Sequence, residues 1–264
     1  MLRKFLVHYL WIALLASALV AAGDREFLPE PGTWNLVELL TLDLRFAVKQ
    51  PPVSPATGEV ALVVIDEATY KELRQPLIFY HTHIAQVMAY LVRCGAKVIG
   101  LDLELPSISL EEQVAGGYDS VYLRALLAAK KQGVDVVLVF SSGAHPPLPV
   151  YLAAAGQENL AAYSLTQDRD GFIRRQQLRF GTGAEAYDAF PYLLARKFSP
   201  NPPSPPGPLI FIDYSLARGI ISHSFKDVLT LSTRPPAPDN PFRGKAVIIG
   251  TLFSFEDRHA TPLT

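Results

Sequence analysis

Cysteine is almost absent, since the 264 residues contain only Cys94. A single cysteine cannot form a disulfide within the chain, and it excludes a metal site built on several thiolates. Positive charge is not in excess either, because 24 lysines and arginines stand against 25 aspartates and glutamates. The net charge of −1 gives no basic surface of the kind that binds nucleic acid, so we expect no nucleic-acid partner.

The common catalytic signatures are also missing. The sequence contains no G-x-S-x-G, no H-E-x-x-H, no glycine-rich phosphate loop and no G-x-G-x-x-G. His81 and His83 are two residues apart, so a helix would direct them to different faces and make them poor ligands of one metal. We therefore expect no catalytic residues, no cofactor and no bound metal.

One long apolar run stands at the N-terminus. Residues 5–23 contain no Asp, Glu, Lys or Arg, and Arg3 and Lys4 precede them. A membrane-spanning helix needs about 20 residues, and basic residues before it favour a cytoplasmic N-terminus. We predict a single-pass anchor in the inner (cytoplasmic) membrane, with the main domain outside the cytoplasm. A cleaved signal peptide is the alternative, because Ala16-Ser-Ala18 has the form of a cleavage site.

Strand and helix patterns alternate between residues 60 and 140. The apolar runs Val60–Ile65, Lys97–Leu101 and Val134–Phe140 are typical of strands buried on both faces, and helical patterns separate them. This alternation predicts parallel strands with right-handed crossovers, and Ala246–Gly250 adds a further strand. The predicted fold class is α/β, with a central mixed, mainly parallel sheet, helices on both faces and one N-terminal transmembrane helix.

The predicted organisation has three parts. Residues 1–24 form the anchor or signal peptide, residues 25–59 a juxtamembrane helix and linker, and residues 60–264 the main domain. The helix prediction within the second part covers Thr33–Gln50, where leucines fall near one helical face. A proline-rich stretch over residues 51–57 then interrupts the pattern.

Acidic residues follow three of the predicted strands. Asp66 and Asp102 end the first two, and Asp257 follows the last one. Ligands of open parallel sheets bind outside the carboxyl ends of the strands, so these carboxylates could hold a cation or perform acid–base chemistry. A purely structural role is the alternative. Asp66 would then cap a short helix, Asp102 would fix its own loop, and Arg258 and His259 would balance Asp257.

A turn is predicted at DRDGFIRR. Gly171 should adopt a positive φ there, because glycine does so without steric cost. Arg174 should pair with a nearby carboxylate, either for structure alone or as part of a ligand site.

Taken in order, these segments resemble the CHASE type two domain, where CHASE stands for cyclase/histidine-kinase-associated sensory extracellular. The resemblance covers roughly residues 35–264. Its most specific pieces are the I-D-E ending of the first strand, the D-G-x-x-R turn that ends at Arg174, and the closing G-K-x-x-I-I-G…D-x-x-x-T-P. One departure is that the chain keeps Pro76 but lacks the tryptophan and arginine that the family usually carries before its first long helix. Any ligand contact that the arginine makes in the family has no counterpart here.

The resemblance implies an extracytoplasmic sensory domain of a bacterial transmembrane receptor, coupled to an intracellular cyclase, kinase or other output domain, and no enzyme activity. We expect a membrane association, an unknown extracytoplasmic ligand and a homodimer. In the family further chain follows the closing motif, so we interpret the end at Thr264 as a truncation. The candidate ligand-binding residues are Asp66, Glu67, Asp102, Arg174, Asp257 and Thr261.

Two other functions stay open from the sequence. One is a metal-assisted hydrolase of the bacterial envelope that would use Asp66, Asp102 and Asp257. The other is a structural interaction domain without a small ligand.

Overall fold

The computed structural model describes most of the chain after residue 57. The described residues are 11, 15, 39, 41–44, 58–114, 117–141, 145–168, 170–183, 186–199, 201–202, 204–205, 207–214, 220–253 and 259–262.

The chain divides into two compact units, residues 1–50 and residues 51–262, apart from its last two residues. In the first unit the described residues are helical, namely Trp11, Leu15, Leu39 and residues 41–44. Within the described part of the chain, no helix has both the length and the apolar character that a membrane crossing requires. Most of the predicted anchor, residues 1–24, lies outside the described residues, so the anchor stays a prediction.

The second unit is an α/β domain. Its strands are β1 (Val60–Ile65), β2 (Val98–Asp102), β3 (Asp135–Ser141), β4 (Leu160–Tyr163), β5 (Thr166–Gln167), β6 (Ile173–Gln177), β7 (Arg179–Phe180), β8 (Tyr187–Asp188), β9 (Leu209–Phe211), β10 (Ile221–Ser224) and β11 (Ala246–Thr251). Its α-helices are α1 (Glu67–Leu73), α2 (His81–Cys94), α3 (Tyr118–Lys131), α4 (Pro149–Ala155), α5 (Phe190–Phe198) and α6 (Phe225–Leu231). Short 3₁₀ helices cover Leu77–Tyr80 and Gln157–Asn159.

The main sheet has six strands in the order β10-β1-β11-β2-β3-β4, and every described pairing in it is parallel. The prediction of a parallel α/β sheet is therefore confirmed, and the four predicted strands agree with β1, β2, β3 and β11 to within one residue at each end. The main sheet is not mixed in the described residues. Antiparallel pairs occur instead in two smaller sheets, β5-β6-β9 and β7-β8.

Helices cover both faces of the main sheet, as predicted. On one face α5 packs Phe190, Leu193 and Leu194 against buried residues of β2, β3, β4 and β11. Gly100 of β2 makes this approach possible, because a Cβ at this position would lie 2.8 Å from Phe190. The larger core lies on the opposite face, where α2, α3, α4 and α6 pack.

The antiparallel part of the domain differs from the sequence interpretation. The polar and charged residues of Phe172–Phe180 are typical of an edge strand, but β6 within this segment is the middle strand of the β5-β6-β9 sheet. Three of the five residues of β6 are buried, namely Ile173, Arg174 and Gln176, and the Arg174 side chain has its own counter-charges. β10 and α4 have no counterpart in the sequence interpretation.

Candidate functional site

The sheet brings the acidic strand ends to one edge. β11 lies between β1 and β2 and is parallel to both, so Asp66 and Asp102 leave the same edge two strand spacings apart. At about 4.8 Å per spacing this separates their backbones by about 10 Å. Asp257 lies outside the described residues, and the shared site of three carboxylates therefore stays a prediction.

Asp66 is occupied by hydrogen bonds within the fold. It is the N-cap of α1, and its Oδ1 accepts from the Thr69 backbone nitrogen (2.8 Å) and from Thr69 Oγ1 (2.7 Å). Ser224 Oγ donates to the same oxygen at 3.0 Å. Burial alone would raise the pKa of the Asp66 carboxyl, but these hydrogen bonds outweigh it and hold the pKa below its usual value. We call Asp66, Thr69 and Ser224 the Asp66 junction.

The junction joins four elements. Asp66 follows β1, Thr69 lies in α1, and Ser224 ends β10 and precedes α6. Thr69 Oγ1 also accepts from the backbone nitrogen of Lys226, in the first turn of α6, at 3.2 Å. The structural role that the sequence offered for Asp66 is thus present in the fold, and its predicted ligand contact stays a prediction.

The other predicted residues at this edge are Glu67 and Asp102. Glu67 opens α1 and is half-buried, whereas Asp102 ends β2 and is exposed, and both already take part in an interaction. Within the part of the chain that the structure describes, no group of three His, Cys, Asp or Glu residues could hold a metal ion.

The predicted turn has the expected geometry, with Gly171 at φ 82°. Arg174 is fully buried and donates to Asp168 Oδ2 at 3.0 Å and to both carboxylate oxygens of Asp170 at 2.9 and 2.8 Å. Arg175 donates through Nε to the other oxygen of Asp168 at 3.0 Å. The predicted pairing of Arg174 with a carboxylate is therefore present, and its contact with a ligand stays a prediction.

The closing segment meets this turn. The Ile173 backbone nitrogen donates to the Ala260 carbonyl at 2.9 Å, and Phe172 and Ala260 form a parallel bridge. Thr261 follows at once and is half-buried. Two of the three most specific pieces of the sequence pattern, the turn and the closing motif, are thus in contact at the start of β6.

An apolar cavity of about 460 Å³ opens beside the carboxyl end of β1. Four chain segments form it: the end of β1, α1, the segment at residues 76–80, and the segment after β11. Its aromatic wall includes Tyr70 and Phe253, whose rings meet edge to face at 6.5 Å. We call it the β1 cavity; it is lined by Ile65, Glu67, Tyr70, Lys71, Pro76, Leu77, Tyr80 and Phe253.

Polar groups around the β1 cavity are less well matched than those of the Asp66 junction. Lys71 has no ion pair with any described residue. The hydroxyl of Tyr80 is sealed from solvent and has no hydrogen-bond partner among the described residues. Burial raises the pKa of this phenol, and the nearby Tyr70 raises it further.

A second, polar cavity of about 750 Å³ lies beside β4, β8 and α5. Its charged groups are largely paired with each other or with neighbours. Asp188 binds Arg179 at 3.3 Å and also pairs with Arg196, while Lys197 contacts Asp135 at 3.4 Å. These ion pairs explain the charges within the fold, so the second cavity indicates no particular ligand.

A family model described as the CHASE2 domain matches residues 12–264. This chain belongs to the CHASE2 family. The resemblance that the sequence motifs indicated is therefore confirmed. CHASE2 domains are sensory extracellular domains of receptor proteins. No curated protein and no solved structure matches the chain.

Within this CHASE2 domain, the sequence reasoning found one of the residues that line the β1 cavity, Glu67. It missed Tyr70, Leu77 and Phe253, and it treated Pro76 only as the remnant of a family cluster. One signal was available in the sequence: the PLIFY segment, residues 76–80, places Pro76 and several apolar residues just before the predicted helix α2. Exposure of Leu77 (37%), Ile78 (41%) and Phe79 (42%) shows that these three residues are not core, whereas Tyr80 is buried.

Proposed function

We propose that this CHASE2 domain is the extracytoplasmic sensory part of a bacterial transmembrane receptor. It binds a ligand or partner outside the cytoplasm and passes the change to an intracellular cyclase, kinase or other output domain. The family match over residues 12–264 is the observation that carries this proposal.

The position of the β1 cavity supports a binding function. In open parallel sheets, ligands bind in the crevice outside the carboxyl ends of the strands. The β1 cavity lies at this edge and is mainly apolar, and its volume of about 460 Å³ is within the usual range for small-molecule pockets.

No observation on the described residues favours the alternative of a metal-assisted hydrolase. Asp66, the first of its three proposed ligands, already accepts three hydrogen bonds within the fold. Such bonds favour the carboxylate and hold it in place for structure, as an N-cap requires.

The membrane arrangement is part of the proposal. Residues 1–24 would anchor the chain in the inner membrane with Arg3 and Lys4 inside, because basic residues favour the cytoplasmic side. Residues 25–264 would then lie outside the cytoplasm. A homodimer would allow two such domains to act on paired output domains.

A topology reporter tests the arrangement. We expect an enzyme that is active only outside the cytoplasm to be active when it is fused after Thr264 in a bacterial host. Reversing the charges at Arg3 and Lys4 to glutamate should reduce this activity while expression stays constant. A fusion that is well expressed but inactive would contradict the proposed export.

A further inference from the structure

We propose that the β1 cavity binds a small carboxylic acid with an apolar body, and that Lys71 holds the carboxylate. This inference rests on the proposed sensory function, for which it names the class of ligand. Two properties of the cavity carry it: the shape and chemistry of the walls, and the asymmetry of the two charges beside them.

The walls define the apolar body. Tyr70 and Phe253 supply aromatic faces, and Ile65, Pro76 and Leu77 supply aliphatic surface. Mainly apolar walls with a few polar groups are typical of sites that bury most of a small ligand. A volume of about 460 Å³ admits a single ring or a short branched alkyl chain together with several water molecules.

The charges define the polar end. Glu67 and Lys71 both line the cavity, one turn apart on α1. Glu67 already takes part in an interaction, whereas Lys71 has no ion pair with any described residue. Among the residues that the structure describes, the ammonium group of Lys71 therefore has no opposite charge, and it selects an anion over a cation.

The location gives such a ligand a structural effect. Its body would touch α1, the 3₁₀ helix Leu77–Tyr80 that leads into α2, and Phe253 after β11. A molecule that contacts all three segments at once favours the arrangement in which they are close. Binding at this point would thus stabilise one packing of the segments around the sheet edge.

Phenylacetate and phenylacetamide form a matched pair of probes. They have nearly the same shape, but only phenylacetate carries a negative charge. We expect phenylacetate to bind the full chain, purified in detergent, about threefold or more tightly than phenylacetamide when each is titrated to roughly 10 mM. Isothermal titration calorimetry or ligand-observed NMR measures both constants.

Variants locate the charge. Lys71→Met keeps the aliphatic stem and removes the ammonium group, so the two probes should bind this variant equally. Lys130→Met is the control, because Lys130 is an exposed lysine of α3 that does not line the cavity, and it should leave the preference for phenylacetate unchanged.

A second pair of variants locates the apolar body. Leu77→Trp should occupy the part of the cavity next to Lys71 and Tyr70 and weaken both probes by about tenfold or more. Ile78→Trp places the same side chain one residue further along the same 3₁₀ helix, at a position that is exposed and does not line the cavity, so it should bind both probes like the parent chain.

Three results would overturn the inference: equal binding of the two probes to the parent chain, binding that survives Leu77→Trp, or no binding of either probe. None of them touches the proposed sensory function, because the topology reporter does not depend on these probes. An inactive reporter together with selective binding of phenylacetate would contradict export and leave the ligand site standing.

Discussion

The Asp66 junction and the β1 cavity lie side by side at the carboxyl end of β1, and they differ in how their polar groups are satisfied. In the junction one carboxylate oxygen accepts three hydrogen bonds, and Thr69 also receives the backbone nitrogen of Lys226. In the cavity the ammonium group of Lys71 has no described counter-charge, and the hydroxyl of Tyr80 has no described partner. The first region is completed by the fold, whereas the second has room for something else.

This contrast separates polar groups that stabilise the fold, which we call structural ties, from polar groups that can bind a ligand. A buried polar group that the fold has paired contributes to stability, and its removal leaves partners unsatisfied. A group that the fold has left unmatched contributes little or nothing to stability and can interact with a ligand without first giving up a protein contact. The Arg174 turn belongs with the Asp66 junction, since its guanidinium is buried among two carboxylates.

The largest expected effect is at the Arg174 turn. Arg174→Met should lower the free energy of unfolding by about 3–5 kcal/mol, because it leaves a buried carboxylate on Asp168 without its buried counter-charge. Arg175→Met is the control, since Arg175 binds the same carboxylate from a side chain that is 36% exposed, and it should cost about 1 kcal/mol or less. Urea unfolding measures both. Similar losses in the two variants would show that burial of Arg174 does not matter.

The next effect is at the Asp66 junction. Asp66→Ala removes the N-cap of α1 and the acceptor of Ser224, so it should cost about 1–2 kcal/mol in urea unfolding. Asp227→Ala removes an exposed acid whose recorded ion pair is with its neighbour Lys226, and it should cost about 0.5 kcal/mol or less. An Asp66→Ala protein as stable as the parent would place Asp66 with the cavity instead of with the structural ties.

The pH dependence of the unfolding free energy tests the same role of Asp66. The folded state holds the pKa of Asp66 below its unfolded value near 3.9, so the folded state binds fewer protons than the unfolded state when the pH is close to that value. The resulting stability is present above about pH 4 and is lost as the pH falls through the lower folded pKa. We therefore expect the unfolding free energy to fall less between pH 5 and pH 2 in Asp66→Asn than in the parent, in urea titrations at fixed ionic strength. An identical pH dependence in both proteins would contradict this role of Asp66.

The smallest effect comes from a pair of tyrosines that are both fully buried. Tyr151 donates to Asp119, so Tyr151→Phe should cost about 1 kcal/mol, whereas Tyr80→Phe removes a hydroxyl without a described partner and should be neutral or slightly stabilising. Thermal unfolding compares the two variants. A loss in Tyr80→Phe as large as in Tyr151→Phe would mean that the Tyr80 hydroxyl is satisfied after all.

The parallel sheet could be predicted from sequence because its central strands are continuous apolar runs. A strand buried on both faces, such as Val134–Phe140, has no polar position to disturb that pattern. β10 could not be predicted in this way, since three of its four residues, Ile-Ser-His-Ser, are polar and all four are exposed or half-buried at the edge of the sheet. The position of β6 could not be predicted for a related reason: charged residues are typical of an edge strand, but Arg174 is buried in this middle strand with its own counter-charges.

The candidate site was harder to predict than the fold. Acidic residues at strand ends, such as Asp66 and Asp102, indicate a ligand site in a sequence. The sequence does not show, however, whether a hydrogen-bond donor from a distant segment already binds their carboxylates. Ser224 lies 158 residues from Asp66 and is such a donor. The β1 cavity, in contrast, is made of ordinary apolar residues that become a site only when α1, the PLIFY segment and Phe253 are brought together.

The thermal shift that phenylacetate produces in two variants tests this distinction most directly. A ligand that binds the folded state raises the melting temperature by mass action. We predict that Asp66→Asn melts at a lower temperature than the parent chain but keeps the full shift, whereas Lys71→Met melts like the parent and loses most of the shift. The opposite pattern, in which Asp66→Asn abolishes the shift and Lys71→Met preserves it, would place the ligand at the carboxylates of the sheet edge and contradict the account.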